Sequence, residues 1–448
     1  MSRRVLVALM ATVFGCSSDA ANSGDGFSDA EWIKIRTHSP LPETPADPTN
    51  KYADRPQAAT LGQRVFFDKG YAGPILAAAA SDGSNGGLGQ AGDTGKVACA
   101  SCHDPSSPGL DDRRTHPNSA SLGVNWTTRN SPPLTNVAFY KLYNWAADKD
   151  SLWMQASVSH ESAVNFGGNR LAYAHYLYKK YRTDYDALFP TPIDPALDPA
   201  AADAARFPAA GKPKAAMTDP DGPWELMTDA DRKIVNTIIS NVGKSIAAYE
   251  RLLVSRNAPF DRYVAGDTSA IDAAAKRGLK LFIGKAACDA CHQGAFFTDQ
   301  QFHNDGVPQM VEHLPATDAG MFTDVPKLLS SAFNGAGAYS DDPVAGKAKL
   351  DALGMPTDTD KGKFRTKNLR SALPSNAPYM HNGSKATLKD VVLHYNDGGA
   401  ADGFEGTKDP KMVPLNLTPQ EIDDLVAFLG TLGGDPIPPA LAVDTSAP

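Results

Sequence analysis

The hydrophobic positions of this chain repeat mainly at helical spacing, and the alternation typical of strands is scarce. Residues 59–67 and 273–283 each place apolar side chains on one face of a predicted helix, and each contains a glycine beside a leucine. Such a glycine, Gly62 or Gly278, lets a helix cross another helix closely. The repeat indicates an internal duplication of one structural unit.

Two later helices complete this pattern. Residues 231–253 form a strongly amphipathic segment that is predicted to end the first unit. Residues 418–421 (TPQE) form a capping box with proline at the first helical position, and the helix that follows is predicted to close the second unit. Residues 70–96 and 190–223 are rich in glycine, proline, alanine and aspartate, which predicts long loops.

A Cys-x-x-Cys-His motif follows each of the two duplicated helices. The two motifs are Cys99, Cys102 and His103, and Cys288, Cys291 and His292. Two thiols three positions apart can add to the two vinyl groups of one haem, and the adjacent histidine then lies beneath the iron as an axial ligand. A zinc ribbon would pair two Cys-x-x-Cys units within about 20 residues and would not need a histidine after each. We therefore predict two covalently bound haem c groups.

These features together predict a mainly α fold made of two cytochrome c-like haem domains with long irregular loops. The predicted domains are an N-terminal haem domain at residues 51–256, a C-terminal haem domain at 257–436 and a tail at 437–448. The join between the domains is marked by the Asn-Ala-Pro sequence at 257–259, since proline and asparagine favour a turn there.

The fifth cysteine, Cys16, belongs to neither motif and lies at the end of an export signal. Residues 2–4 (SRR) are positively charged and residues 5–14 are apolar, as in a signal peptide. Because the preceding residues resemble a lipobox, we expect residues 1–16 to be a lipoprotein signal, 17–50 a tether, and the protein to be anchored in the periplasm. Ordinary cleavage nearby, with loss of Cys16, is the alternative.

The charge balance is mildly acidic, with 51 Asp and Glu residues against 43 Lys and Arg and a net charge of −8. The basic residues are scattered along the chain, so we expect no nucleic-acid partner. No segment after the signal approaches the length of apolar sequence that crosses a bilayer.

From about Leu61 to Leu432 the chain resembles the bacterial di-haem cytochrome c peroxidase and MauG family. The segments that carry the resemblance are LGQRVFFD at 61–68, CASCHDP at 99–105, RNSPPLTN at 129–136, DSLWMQA at 150–156, FFTDQQFHNDGV at 296–307 and the PYMHNG block within 364–395. Many electron-transfer cytochromes carry two haem motifs, but few match the last two segments.

The resemblance implies a function for each haem. The N-terminal haem, on His103, would react with H2O2, and the C-terminal haem, on His292, would store or relay electrons. Trp145 matches the tryptophan between the haems of the family, although core packing is the alternative for a tryptophan. Asn130, with backbone carbonyls near Asn376 and Pro378, matches an inter-haem calcium site, and calcium prefers such oxygen ligands.

The distal side of the first haem departs from the family. Gln155 matches a family pocket residue, but the distal glutamate of the family falls on Asn165, which cannot exchange a proton at neutral pH. Glu161 and the adjacent His160 are the candidate replacements, unless both are ordinary loop residues. Val124 stands where some members have a distal histidine ligand, so the first haem is expected to be open in the ferric protein.

The second haem shows a further departure. Peroxidases of the family have a methionine ligand fourteen residues after the PYMH histidine, and here that position is Tyr395, as in MauG. A phenolate ligand lowers the potential of the haem, whereas methionine raises it. His394 and Met380 are lesser candidates for this ligand, and packing on an apolar helical face is the alternative for Tyr395.

The leading hypothesis is therefore a periplasmic di-haem peroxidase-type oxidoreductase that uses H2O2. Its reductant would be a small cytochrome or cupredoxin, or it would oxidise a partner protein as MauG does. The alternative is a di-haem electron-transfer cytochrome without peroxidase turnover, which Asn165 favours.

Overall fold

A computed structural model describes residues 25–76, 88–105, 121–309, 313–370, 372–373 and 376–447. The predicted signal peptide and Cys16 lie outside these residues. The α-helices are α1 (Asp29–Thr37), α2 (Pro56–Phe67), α3 (Cys99–Cys102), α4 (Leu152–Ser159), α5 (Arg170–Leu188), α6 (Asp229–Glu250), α7 (Pro259–Val264), α8 (Ala273–Ile283), α9 (Met321–Ser330), α10 (Pro343–Leu353), α11 (Leu388–Asn396) and α12 (Pro419–Leu429). Short 3-10 turns and irregular segments connect them.

The described strands are two-residue segments, β1 (Phe302–His303) and β2 (Phe364–Arg365), which pair antiparallel. The fold is thus mainly α, as the sequence predicts. Within the described residues, none of the helices combines the length and the apolar composition needed to cross a membrane.

The predicted duplication is visible as two crossed helix pairs, α2 with α6 and α8 with α12. At the first crossing, a methyl group on Gly62 would overlap the carbonyl of Ser245. At the second, a methyl group on Gly278 would overlap the carbonyl of Asp424. The predicted role of the two glycines in close helix crossing is therefore confirmed.

The predicted helix boundaries agree well with the structure because the caps are local signals. The Thr418 side chain accepts from the backbone N–H of Glu421, and the Glu421 side chain accepts from the backbone N–H of Thr418. The predicted capping box is therefore present. The Thr228 side chain accepts from the backbone N–H of Asp231 and so caps α6. That helix begins at Asp229, two residues earlier than predicted.

Two large cores hold the fold, one around each haem motif. The first core joins α2, α4, α5 and α6, and the second joins α7, α8, α11 and α12. The two cores do not follow the predicted domain boundaries strictly. The helices α9 and α10 lie in the predicted C-terminal domain but pack on the first core. The tail also returns to the first domain, where Gln63 Nε2 donates to the carbonyl of Ala440 (2.8 Å).

The predicted tether at residues 17–50 differs from the structure over its described part. The helix α1 has a complete capping box at Ser28 and buries Trp32 and Ile35 in the second core. Lys34 Nζ donates to the carbonyl of Ile283 (3.1 Å), at the end of α8. This segment is therefore folded against the C-terminal domain, because its apolar residues find a partner surface far along the chain.

Candidate haem sites and the region between them

A deep cleft lies beside the second Cys-x-x-Cys-His motif and brings together residues from both halves of the chain. Its lining includes Cys288, Cys291, His292, Trp145, Asn130, Asn376, Pro378, Met380, His381 and Tyr395. The Nδ1 atom of His292 lies 3.0 Å from the carbonyl of Phe297, which directs Nε2 away from the backbone. A ring held in this way is oriented to ligate iron through Nε2, so the residues fit a covalently bound haem.

Tyr395 lies on the wall of this cleft. Leu388, Val391 and Val392 share its helical face on α11 and line the cleft with it. The apolar face predicted for this helix is therefore turned toward the haem site. This placement agrees with ligation by Tyr395 and also with packing against a haem, so the ligand assignment remains a prediction.

The hydroxyl of Tyr395 donates to Asp305 Oδ2 at 2.9 Å. Burial, together with the nearby Asp305 carboxylate, raises the pKa of Tyr395 well above its usual value, so the free side chain is a phenol. His394 Nε2 lies 2.8 Å from the backbone carbonyl of Asp305, which occupies one of its ring nitrogens. Met380 also lines the cleft, so of the lesser candidates Met380 is the one placed at the site.

The first motif has a similar local arrangement. His103 Nδ1 lies 2.9 Å from the carbonyl of Pro132, in the RNSPPLTN segment. Cys99 and Cys102 begin and end the short helix α3, and Tyr71 Oη lies 3.7 Å from Cys99 Sγ. The histidine is again oriented by a backbone carbonyl, so the first site also fits a covalently bound haem.

Two of the positions that depart from the family, Val124 and Asn165, are neighbours in space. The backbone N–H of Val124 donates to the carbonyl of Asn165 (3.0 Å). Gly123 allows this approach, because a methyl group there would overlap the backbone at Asn165. Val124 is fully buried in a small cluster with Trp126 and Phe166, so the site where a blocking histidine would stand is apolar.

Glu161 is held by an ion pair, which argues against its predicted role as the distal base. Arg170 donates to both carboxylate oxygens of Glu161, at 2.8 Å from Nε and 2.6 Å from Nη2. A carboxylate held on both oxygens by one guanidinium is fixed in place. The pair also closes the loop between α4 and α5, which is a structural role.

His160 differs from Glu161 because neither of its ring nitrogens has a hydrogen-bond partner among the described residues. Its ring packs on Tyr173, with the centroids 4.3 Å apart. Burial lowers the pKa of His160 to about 4, so the ring is neutral near pH 7. Glu161 Oε1 lies 3.9 Å from His160 Nε2, beyond hydrogen-bonding distance, so of the two predicted proton carriers His160 is the one with unbonded ring nitrogens among the described residues.

Gln155 lies on α4, and its amide Nε2 donates to Ser159 Oγ one turn later (3.1 Å). The same helix packs against α6 in the first core. The structure thus places Gln155 on a helix that packs in the first core, and its role in the haem pocket stays a prediction.

Trp145 connects the two halves of the molecule. Its Nε1 donates to the carbonyl of Asn130 (2.6 Å), and its ring lines the cleft at the second haem motif. Lys367 Nζ lies 4.3 Å from the centre of the indole ring. Trp145 is half-buried at a haem cleft rather than enclosed in a core, so simple core packing does not describe its surroundings.

The three predicted calcium residues lie together on the wall of the same cleft. Asn130 Nδ2 donates to the carbonyls of Pro378 (2.8 Å) and Met380 (3.3 Å), while Asn130 Oδ1 is buried without a hydrogen-bond partner among the described residues. Turning this amide by 180° would direct Oδ1 toward the same carbonyls. In that orientation Oδ1 and the two carbonyls would form a group of oxygen atoms of the kind that calcium prefers, so these residues could hold the predicted ion.

Sequence reasoning missed three side chains that shape these sites: Asp305, Arg170 and Lys367. Asp305 lies in the FHNDGV segment, whose likeness to the family could have indicated a contact with the second haem. Lys367 contacts the ring of Trp145, which is far away in sequence, and Arg170 binds Glu161 across the loop that precedes α5. Local patterns do not reveal such contacts.

Comparisons with known proteins agree with the fit of both motif sites to covalently bound haem. The family model for di-haem cytochrome c peroxidases matches residues 56–269. A cytochrome-c peroxidase of Denitromonas iodatirespirans is 31% identical over 427 residues, which span 93% of this chain and 90% of that protein. The methylamine utilization protein MauG of Methylorubrum extorquens is 28% identical over 427 residues, which span 94% and 90%.

Solved structures share the fold. A MauG-like protein associated with microbial copper homeostasis has a TM-score of 0.58 at 23% identity, covering 90% of this chain and 98% of its own. The di-haem peroxidase of Burkholderia thailandensis has a TM-score of 0.56 at 20% identity, covering 88% and 90%.

The fold and the two motif sites define a two-haem c-type cytochrome enzyme. The chain belongs to the di-haem cytochrome c peroxidase family, and it is an oxidoreductase with two haem c groups. The family resemblance and the mainly α, two-haem fold predicted from the sequence are confirmed.

Proposed function

We propose that this protein reacts with H2O2 at the haem of His103 and passes oxidising equivalents through Trp145 to the haem of His292, from which a partner protein is oxidised in the manner of MauG. The observation that carries this proposal is the placement of Tyr395 on the wall of the second haem cleft. A phenolate ligand gives a haem that is easily oxidised but is a poor acceptor for electrons from an ordinary donor.

Bound haem supplies a redox-active iron at which the O–O bond of H2O2 can break. The chain's own residues prepare the site for this chemistry. His103 is held by the carbonyl of Pro132 (2.9 Å), and Val124, buried in an apolar cluster, offers no side-chain ligand at its position. His160, neutral and with both ring nitrogens free among the described residues, is the side chain that supports proton transfer from peroxide.

Transfer between the haems is assigned to Trp145. The hydrogen bond from its Nε1 to Asn130 and the contact with Lys367 fix the ring at the edge of the second cleft. Asn130 is also the predicted calcium ligand. A calcium ion there would therefore stabilise the backbone on which the relay residue rests, and we include calcium in the proposed function on this basis.

A second function, reduction of H2O2 with electrons from a small cytochrome or cupredoxin, is favoured by the relatives that are named cytochrome-c peroxidases. The predicted signal peptide supports a periplasmic location for either function, and anchoring through Cys16 belongs to the same proposal.

The two functions are separated by one experiment on the purified ferric holoprotein. After H2O2 is added, absorbance is followed with and without reduced cytochrome c as the external donor. We expect rapid loss of the resting Soret band and slow oxidation of the donor. Rapid donor turnover would favour the peroxidase function, and no reaction with H2O2 would contradict both.

A further inference from the structure

Four tyrosines lie beside the first haem motif and form a connected series of ring contacts. They are Tyr71, Tyr173, Tyr176 and Tyr181. Tyr71 Oη lies 3.7 Å from Cys99 Sγ, one of the two sulfur atoms predicted to bind the first haem. The hydroxyl of Tyr71 is therefore in contact with the predicted attachment point of that haem.

From Tyr71 the ring contacts continue outward along α5. The ring centroid of Tyr71 is 6.1 Å from that of Tyr176, and the centroid of Tyr176 is 6.5 Å from that of Tyr181. Separations of this size are those of aromatic side chains in contact. Tyr181 is buried, whereas Tyr176 is half-buried and partly exposed to solvent. The series thus connects the haem motif with the surface of the first domain.

The two outer tyrosines share one carboxylate. Asp68 Oδ2 accepts from Tyr176 Oη at 2.8 Å and from Tyr181 Oη at 2.7 Å. Gly70 makes room for the first of these bonds, because a methyl group there would overlap the Tyr176 hydroxyl. Lys180 Nζ pairs with the same carboxylate oxygen at 3.0 Å. A carboxylate that already holds two phenols is placed to accept the proton of either one.

The charges of this group before any reaction follow from its burial and its hydrogen bonds. Burial opposes the charge of Asp68, but the hydrogen bonds that the carboxylate accepts outweigh burial and lower its pKa. Burial and the bond to Asp68 raise the pKa of both Tyr176 and Tyr181. The group is therefore one carboxylate with two neutral phenols. A phenol becomes much more acidic when it loses an electron, so its oxidation transfers the proton to the carboxylate.

We propose that these tyrosines form a second exit for oxidising equivalents, which leads from the first haem to Tyr176 and Tyr181 at Asp68. One electron passes from a phenol at Asp68, through Tyr71, to the haem site that H2O2 has oxidised, and reduces that site by one equivalent. The phenolic O–H bond breaks, the proton forms an O–H bond with Asp68 Oδ2, and a neutral tyrosyl radical is left. A one-electron donor from solution reverses this change, because the radical takes the electron and regains the proton from Asp68.

This inference rests on the proposed reaction with H2O2, and the test separates the two. The ferric two-haem protein is frozen rapidly after addition of H2O2, and the Soret band and the electron paramagnetic resonance spectrum are recorded on the same samples. We expect a tyrosyl radical in the wild type, and a larger signal in Trp145→Phe, which removes the proposed route to the second haem. Ring-deuterated tyrosine should narrow the signal.

The two possible failures differ in the Soret band. Loss of the resting Soret band without a tyrosyl radical in either protein would overturn the second exit and leave the proposed function in place. An unchanged Soret band would contradict the proposed function and would overturn the second exit with it, because the oxidant would be missing.

Conservative variants locate the radical. Tyr71→Phe and the double variant Tyr176→Phe/Tyr181→Phe keep the rings and remove the phenols, and each should lose the tyrosyl signal in samples whose Soret band is lost. Tyr178→Phe is the matched control, since Tyr178 is half-buried on the same helix but its hydroxyl accepts from Arg182 (2.9 Å). That variant should keep the signal. A wild-type signal in Tyr71→Phe or in the double variant would overturn the proposal.

A second measurement uses the wild type alone and so does not depend on the stability of a variant. The proton that moves to Asp68 stays beside the radical oxygen, where it exchanges with solvent. Electron–nuclear double resonance of samples prepared in D2O should therefore show an exchangeable deuteron in hydrogen-bonding contact with the radical. A tyrosyl radical without such a deuteron would lie away from Asp68 and would overturn the proposal.

Discussion

The hydroxyl of Tyr395 donates to Asp305 Oδ2 at 2.9 Å on the wall of the second haem cleft. A tyrosine that ligates iron must lose its proton, and Asp305 is placed to accept or to hold that proton. The same residue binds His394 through its backbone carbonyl (2.8 Å), so Asp305 fixes two consecutive side chains of α11. The orientation of the predicted ligand thus depends on a residue ninety positions earlier.

The first prediction concerns Tyr395 as the second-haem ligand. Tyr395→Phe should change the low-spin signal of the ferric protein in electron paramagnetic resonance, because the phenolate is lost from the iron. Tyr395→Met should raise the potential of that haem and favour turnover with an external donor. Tyr379→Phe is the matched control, since Tyr379 lines the same cleft but donates to the backbone carbonyl of Leu373. An unchanged signal in Tyr395→Phe would mean that this tyrosine only packs.

The second prediction distinguishes a role of Glu161 in stabilising the fold from a role in the reaction with H2O2. Glu161→Gln leaves the buried guanidinium of Arg170 without its ionic partner and should lower the free energy of unfolding by about 3 kcal/mol. The rate of the H2O2 reaction per folded molecule should change little. Asp186→Asn, at a more exposed ion pair with Arg182, should cost less than about 0.5 kcal/mol. A large loss of rate without loss of stability would restore Glu161 as the proton carrier.

A third prediction tests calcium at Asn130. Asn130→Ala removes the unpartnered Oδ1 and should abolish calcium binding, measured by metal analysis of freshly prepared protein. Asn382→Ala, which removes a buried amide bonded to the carbonyl of Pro308, should lose stability but keep the metal. Chelation should also slow electron transfer between the haems, because the ion stabilises the folded form that binds it. Wild-type protein without calcium would rule out the site.

A fourth prediction follows from the helix crossings. Gly278→Ala places a methyl group against the carbonyl of Asp424 and should lower the free energy of unfolding by about 1–3 kcal/mol or more, measured by urea denaturation. Gly222→Ala has room for the added methyl group and should be nearly neutral. Equal stability of the two variants would mean that the two helices can move apart at the crossing without a loss in the free energy of unfolding.

The two helix crossings were predictable because a glycine within an apolar helix is a local signal, and its common cause is the close approach of another helix. The caps at Thr418 and the haem motifs are local in the same way. The helix α1 has its own local cap at Ser28, but its docking on the C-terminal domain was not predictable, since Lys34 reaches the carbonyl of Ile283 from 249 positions away. The surroundings of Glu161 show a related limit: the sequence indicates a carboxylate in the right segment, and only the structure shows Arg170 bound to both of its oxygens.

The last prediction concerns stability at low pH and His160. The pKa of a histidine in the unfolded chain is about 6.5, whereas burial lowers the pKa of His160 to about 4 in the folded protein. The unfolded state therefore binds more protons between these two values, and folding stability should decrease as pH falls from about 6.5 to about 4. The difference in pKa corresponds to about 3 kcal/mol from this group. His160→Phe fills the same space beside Tyr173 without a titrating group. Urea denaturation at several pH values should therefore show a weaker loss of stability on acidification in this variant than in the wild type. If the two proteins lose stability in parallel, His160 is already protonated or partnered in the native state, and its proposed role as the neutral proton acceptor for H2O2 would fail with it.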